Sequence, residues 1–226
     1  MNNKLSESLE DYLEAIAELI AIEGHAHTKE IAGKLNVKMP SVTGALRQLE
    51  QLGYIVYNIH YPVQLTEEGK RVAGEIVERH KVLTKFFSEI LGLPMEKASE
   101  TACRLEHAVD HETIERFTIF SEAIEQREDA KLLQVYLTEA MQLLARDDYR
   151  ELILLSSLKP GAHAVIEFAG RNIPELFRNS CAPGMSVIIK SISLDKSSYN
   201  AEIDGREVII PVQHAQNIWT KISGTK

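Results

Sequence analysis

Cys103, Glu106 and His107, within the run CRLEH, are the residues whose types and spacing could do chemistry together. On a helix the i, i+3, i+4 spacing puts all three on one face. They would offer a thiolate sulfur, a carboxylate oxygen and an imidazole nitrogen. Transition-metal ions suit that donor set; calcium and magnesium do not. Asp11 and Glu14 repeat the i, i+3 spacing near the start of the chain, and His80 sits in GEIVERHKVL. Each of these alone also fits an ordinary helix surface, and a lone Cys is most often a small buried apolar side chain. Convergence of three helices on one polar pocket is the arrangement that would make them a metal centre.

The elements that must position these residues can be read from periodicity. Leu9, Leu13, Ile16, Leu19 and Ile20 recur at helical spacing and predict a helix over 6–22, closed by Gly24. Thr28 is the expected N-cap of a short second helix. Pro40 fits the first turn of a third helix running to about Leu52, with Val42, Ala45, Leu46 and Leu49 on its inner face. Tyr54 to Tyr57 and Val63 to Leu65 read as a hairpin, and a long helix from Thr66 to about Leu91 follows. That order is a winged helix-turn-helix. Further helices are expected over Met95 to Val109, His111 to Ile124 and residues 130–145. After Leu158 the texture changes to short alternating runs between turn signals: Ala164 to Phe168, Ser186 to Ile192, Tyr199 to Ile203 and Glu207 to Pro211. A small β-barrel fits this spacing. The expected fold class is therefore mostly α with small β. The expected parts are a winged helix-turn-helix over 1–73, a helical region over 74–150, and a β-barrel over 151–226.

A chain of 226 residues favours two or three modules. The net charge of −8 excludes coating nucleic acid by charge alone but allows a small basic reading head. Lys29, Lys34, Lys38 and Arg47 face only Glu30 and Glu50 between residues 25 and 65. The first 24 residues hold Lys4 against Glu7, Glu10, Asp11, Glu14, Glu18 and Glu23. With Cys103 and Cys181 as the only cysteines, a reducing cytoplasm is expected. No apolar run of about 18 residues suggests a membrane span, and no secretory signal is visible. No nucleophile, phosphate loop or substrate cleft signature points to an enzyme.

SLEDYLEAIAEL, MPSVTGALRQLEQLGYI, LTEEGKRVAGEIVERHKVL and CRLEHAVDHETIERF stand in the order of family landmarks. With them the sequence resembles the diphtheria-toxin-repressor and manganese-transport-regulator family of metal-dependent transcription repressors, in its long form. The resemblance implies that the helical region over 74–150 is a metal-binding and dimerisation domain. It implies an SH3-like third domain, similar to a ferrous-transport accessory protein. It implies a homodimer and a double-stranded, palindromic DNA operator. It also implies the metal ligands Asp11, Glu14, His80, Cys103, Glu106 and His107. Asp11 with Glu14 is similar to the manganese branch, whereas Cys103 is similar to the iron branch. The ancillary ligands of the iron branch would fall near Thr84 and Ser99, which are poor ligands. Mn(II) or Fe(II), one or two per subunit, is therefore expected, with Zn(II) binding in vitro. The third helix of the family enters the major groove with its N-terminal half. Here that half offers Lys38, Pro40, Ser41, Thr43 and Gly44. Lys29, Lys34, Lys38 and Arg47 are phosphate candidates, and His60 with Tyr61 would form the wing tip. In the barrel, Glu167, Glu175, His163 and His214 are either extra donors or ordinary surface, and Trp219 is core or a domain contact. A winged-helix regulator sensing a non-metal small ligand is the alternative; it would need an apolar pocket and show no metal response.

Overall fold

The computed structural model describes residues 5–223, so Lys4 lies outside the described residues. The chain forms two compact units. One holds the chain up to Glu89 together with Leu93–Phe120; the other holds Ile90–Gly92 and the chain from Ser121 onward.

In the first unit, α1 (Glu7–Glu23), α2 (Thr28–Lys34) and α3 (Met39–Gln51) form the helical core of the reading head. Leu13, Ile16 and Leu19 of α1 bury against Ile31 of α2 and Val42, Leu46 and Leu49 of α3. Those of α1 and α3 are the positions that the 3.6-residue periodicity put on inner faces. Gly24 closes α1 in the left-handed region, at φ 79°. The cap of α2 falls one residue earlier than expected: His27 is the N-cap and Thr28 is already helical. Glu30 explains the shift, because its carboxylate accepts the His27 N–H at 2.8 Å. The hairpin shrinks to β1 (Ile55–Val56) and β2 (Gln64–Leu65), paired Ile55 to Leu65 and Val56 to Gln64. Loop forms the rest of the wing. His60 at its tip takes φ 75°, a conformation that ends strand geometry.

α4 (Glu67–Lys85) starts at Thr66, whose hydroxyl accepts the Gly69 N–H at 3.0 Å. Gly69 is needed where it stands: a Cβ there would lie 1.8 Å from the Tyr54 carbonyl oxygen. The helix continues as a π-turn over Phe86–Ile90. α5 spans Met95–Leu105 and α6 spans His111–Gln126. The expected helix to Val109 is thus cut short at Leu105. Asp110 accounts for the break, since its carboxylate accepts the Thr113 N–H at 2.8 Å and so starts α6.

In the second unit, α7 (Lys131–Leu143) precedes β3 (Leu152–Leu154), β4 (His163–Ala169), α8 (Glu175–Arg178), β5 (Ser186–Ile192), β6 (Ser198–Ile203), β7 (Arg206–Pro211), α9 (Val212–Ala215) and β8 (Ile218–Ile222). The strands form one antiparallel sheet in the order β3-β8-β4-β5-β6-β7. Bulges in its β4–β8 and β5–β6 ladders help it curl around one core. The fold is SH3-like, with no ladder joining β3 to β7. Two of its strands, β3 and β8, were not expected: β3 lies in the short apolar run LILL, which carries no alternation. Trp219 is buried on β8 and stacks on Tyr136 of α7, ring centroids 5.4 Å apart. Glu167 pairs with Arg146 at 2.8 Å, and the His214 ring lies 4.9 Å from that of Phe177.

Candidate metal centre and DNA interface

Three elements of the first unit bring the expected ligands together. α1 contributes Asp11 and Glu14, α4 contributes His80, and the end of α5 contributes Cys103, Glu106 and His107. Because α5 ends at Leu105, Glu106 is its C-cap and His107 lies in the turn beyond. Glu106 is 0% exposed. Its Oε2 accepts from His80 Nδ1 at 2.8 Å, whereas its Oε1 is buried with no hydrogen-bond partner. A buried carboxylate oxygen left without a donor is costly. A cation at that point would remove the cost.

The donor atoms fall into two trios that share Glu106. Glu14, His80 and Glu106 make one, and Asp11, Cys103 and Glu106 make the other. His107 adjoins the second: its Nε2 is 2.9 Å from Asp11 Oδ1 and 3.7 Å from Glu106 Oε1. The first trio is all oxygen and nitrogen; the second adds sulfur. All six expected ligands therefore gather at one place, and the residues fit a divalent transition ion.

Two further residues hold the imidazoles: Glu10, which sequence reading did not single out as a donor, and Ser99, which it named only as a poor ancillary ligand. Glu10, only 7% exposed, accepts from His107 Nδ1 at 2.8 Å and from Arg79 Nη2 at 3.2 Å. Ser99 Oγ lies 3.2 Å from His80 Nε2. Both fix ring orientation from behind the donor atoms, as partners of metal-ligating histidines do. The available signal for Glu10 was its place one turn before Glu14 on α1, beside Arg79 and His80 on α4.

The protonation states follow from this crowding of acids. Burial, and then the charge of Glu106, pushes the Glu14 carboxyl up to about 7. The Glu106 hydrogen bond outweighs burial at His80 and raises its pKa. Burial opposes the charged form of His107 most strongly, yet the Glu10 hydrogen bond and the neighbouring carboxylates raise its pKa on balance. Burial, helped by Glu106 and Asp11, lifts the Cys103 thiol to about 11. Without a metal the centre keeps protons, and a dication would displace them.

The candidate DNA-reading face is laid out on α3 and the wing. Lys38 caps α3, and Pro40 sits in its first turn. Lys38, Pro40, Ser41, Gly44 and Arg47 are exposed, while Thr43 is half-buried and donates its hydroxyl to the Met39 carbonyl at 3.2 Å. Gly44 opens on empty space. Gln48, not anticipated, shares the exposed face. Lys29 on α2 and His60 on the wing are exposed as well. Lys34, by contrast, pairs with Glu18 of α1 at 2.7 Å. A groove of about 950 Å³ between α4 and α6 includes Arg79 but none of the six donors.

Residues 4–61 match the family model described as iron dependent repressor, N-terminal DNA binding domain. Residues 66–131 match its companion, iron dependent repressor, metal binding and dimerisation domain. Both models end before the six-stranded sheet. An uncharacterized HTH-type transcriptional regulator of Methanocaldococcus jannaschii is 40% identical over 124 residues, covering 54% of this chain and 99% of that protein. The transcriptional regulator MntR of Salmonella typhimurium is 36% identical over 116 residues, 51% of this chain and 73% of the relative. The HTH-type transcriptional regulator MntR of Bacillus subtilis is 32% identical over 131 residues, 56% of this chain and 92% of the relative. With both characteristic domains matched in order and a winged-helix head joined to a metal-fitting cluster, the chain belongs to the iron-dependent repressor family of metal-dependent, DNA-binding transcription regulators.

Proposed function

We propose that this repressor is activated for operator binding by Mn(II) or Fe(II), held by Asp11, Glu14, His80, Cys103, Glu106 and His107. The single observation that carries the reading is the orphaned Oε1 of Glu106, buried where the two trios meet. Two ions per subunit, with Glu106 common to both, is the stoichiometry this arrangement favours. The O- and N-only trio suits Mn(II), and the thiolate of Cys103 draws the second position toward Fe(II) or later metals. Zn(II) would bind in vitro by the general affinity order, so availability in the cytoplasm contributes to the choice.

A bound dication supplies the positive charge that the acidic cluster lacks. The rest of the switch belongs to the chain. Without metal, Asp11 and Glu14 of α1 crowd the buried Glu106 at the end of α5, with the His80 and His107 imidazoles set between these carboxylates. Neutralised, the same residues tie α1 to α4 and α5. Since α1 also packs under α3 through Leu13, Ile16 and Leu19, firming α1 fixes the reading helix. The reading domain, residues 1–73, is then set relative to the metal-binding and dimerisation domain, 74–150. The SH3-like domain, 151–226, completes the chain. In a homodimer this fixes the separation of two reading heads on a palindromic operator. On each half-site Lys29, Lys38, Arg47 and His60 meet phosphates, while Pro40, Ser41, Thr43 and Gly44 approach the bases. Lys34 joins them on release from Glu18. Base readout is modest, with no Arg or Gln among those base-facing residues, so DNA shape contributes to specificity.

Anaerobic titration of operator binding with Mn(II), Fe(II) and Zn(II), at fixed salt, tests the reading. Metal should tighten binding by about 5–150-fold, the usual range of allosteric coupling. D11A and H107A should each abolish the stimulation while leaving weak metal-free binding. Full metal response in both variants would sink the ligand assignment.

A further inference from the structure

The second unit carries a groove of about 630 Å³, set between α7 and the segments around β3 and α9. That volume lies in the range of small-molecule sites, about 300–1,000 Å³. No Asp, Glu, Lys or Arg lines it, unlike the grooves beside α4. Its polar groups are neutral and come from three separate segments. Ser156 follows β3, Asn172 precedes α8, and Gln213, Gln216 and Asn217 belong to α9 and the turn after it.

Two of these amides hold one another in place. Asn172 Nδ2 donates to the Leu132 carbonyl at 2.7 Å and to Asn217 Oδ1 at 3.2 Å. Asn217 Nδ2 donates to the Gln213 carbonyl at 2.8 Å. That chain leaves Asn172 Oδ1 unused. The Ser156 hydroxyl and the side-chain amides of Gln213 and Gln216 make no hydrogen bond to another described residue. The His214 imidazole stands in the same wall, with its Nδ1 unpartnered.

Apolar atoms border the same space. Leu132 is 68% exposed and Leu133 46%. The Tyr136 ring stacks on Trp219, at an interplanar angle of 17°. Trp219 is buried and does not line the groove, so Tyr136 meets the groove with the side of its ring turned away from Trp219.

This lining selects among ligands. A charged ligand would give up water with no counter-charge in the wall. A purely apolar one would strip water from free amides and a hydroxyl without replacing their hydrogen bonds. A ligand hydroxyl both donates and accepts, and so does a side-chain amide, so the two match in pairs. A sugar ring adds an apolar C–H face, which suits Tyr136 and the exposed leucines.

We propose that this groove binds a neutral mono- or disaccharide. Asn172, Gln213, Gln216 and Ser156 meet its hydroxyls, and its ring lies against Tyr136. The SH3-like domain then has a small-molecule input of its own. The inference uses no residue of the metal centre and stands if the metal switch fails.

The probes are glucose, galactose, mannose, N-acetylglucosamine, maltose and cellobiose, each titrated into the full chain. Adenosine and an uncharged, capped Ala-Leu-Ala-Leu peptide are the comparison ligands. Binding is read by saturation-transfer NMR and by fluorescence of Trp219, the only tryptophan of the chain. At least one sugar should bind with a Kd of about 1 mM or tighter and change the Trp219 emission. Its epimers should bind unequally, because fixed amides distinguish the direction of a hydroxyl. Gln213 and Gln216 are exposed, so replacing them leaves the fold intact. Q213A/Q216A should weaken the sugar by about tenfold or more, with Mn(II) binding unchanged. Failure of all six sugars to bind would overturn the proposal. So would binding that the double variant leaves untouched, or tighter binding of adenosine or the peptide in a way that Q213A/Q216A weakens.

Discussion

At the scale of single residues, the candidate metal centre crowds carboxylates against one another around the buried Glu106. Glu14 illustrates it. Its folded pKa of about 7 lies above the ordinary 4.5, because burial and the Glu106 charge favour the protonated form. A raised pKa contributes stability that is full below the unfolded value and is lost as pH climbs through the folded one. His80 and His107, both raised, act in the same direction, losing their contribution above the ordinary imidazole range. The metal-free chain should therefore lose thermal stability between about pH 5 and pH 8. Saturating Mn(II) should flatten that decline, and apparent metal affinity should rise over the same window as protons are released. Thermal melts with and without metal, and calorimetry in two buffers of different ionisation enthalpy, check both. A metal-free melting temperature that rises across this window would contradict the proton-loaded centre. Glu10 and Ser99 belong at this scale too. No donor pattern marked Glu10, and Ser99 stood out only as a poor ancillary ligand, because their work is to hold rings that other residues present.

At the scale of elements, the helix-turn-helix was readable because its inner faces repeat at 3.6 residues, from Leu13 to Leu49. Its ends were less so. His27 displaced Thr28 as cap because Glu30 reaches back to it, a contact between side chain and backbone that composition does not encode. α5 stopped at Leu105 because Asp110 begins α6, and that early stop leaves Glu106 buried and His107 turned toward Glu10 and Asp11. The face of α3 offers a clean test. Gly44 lies mid-helix with open space where a Cβ would go. Glycine there costs about 1 kcal/mol relative to alanine. Gly44→Ala should therefore stabilise the fold by about that amount in urea denaturation, yet weaken operator binding, because the added methyl stands between α3 and the DNA. Binding that is unchanged or tighter would move the DNA contact off this half of the helix.

At the scale of the molecule, paired reading heads require a surface that joins two chains. α6 supplies a candidate face: Ile119 is 66% exposed and Phe120 49%, beside the half-buried Phe117 and Phe86 whose rings pack edge to face. Apolar side chains left this open on a helix of the dimerisation region are the kind that a partner chain covers. Phe120→Glu should yield monomers by light scattering at micromolar concentration and weaken operator binding at least tenfold, with Mn(II) binding to the isolated chain retained. An intact dimer in this variant would place the interface elsewhere. No helix among the described residues is long and apolar enough to cross a membrane.

What the sequence determined by itself was the donor inventory, the order of elements in the reading head and the inner faces of α1 and α3. These depend on residue type and spacing along a single helix, and both are local. Only the tertiary structure decided that Asp11, Glu14, His80, Cys103, Glu106 and His107 meet, that Glu106 is shared with one oxygen left unpartnered, and that Glu10 and Ser99 hold the rings. It also decided that β3 and β8 complete the second sheet. The physical reason is the same in each case. Burial, orphaned polar atoms and strand pairing are relations between segments far apart in the chain, and periodicity within one segment carries no record of them.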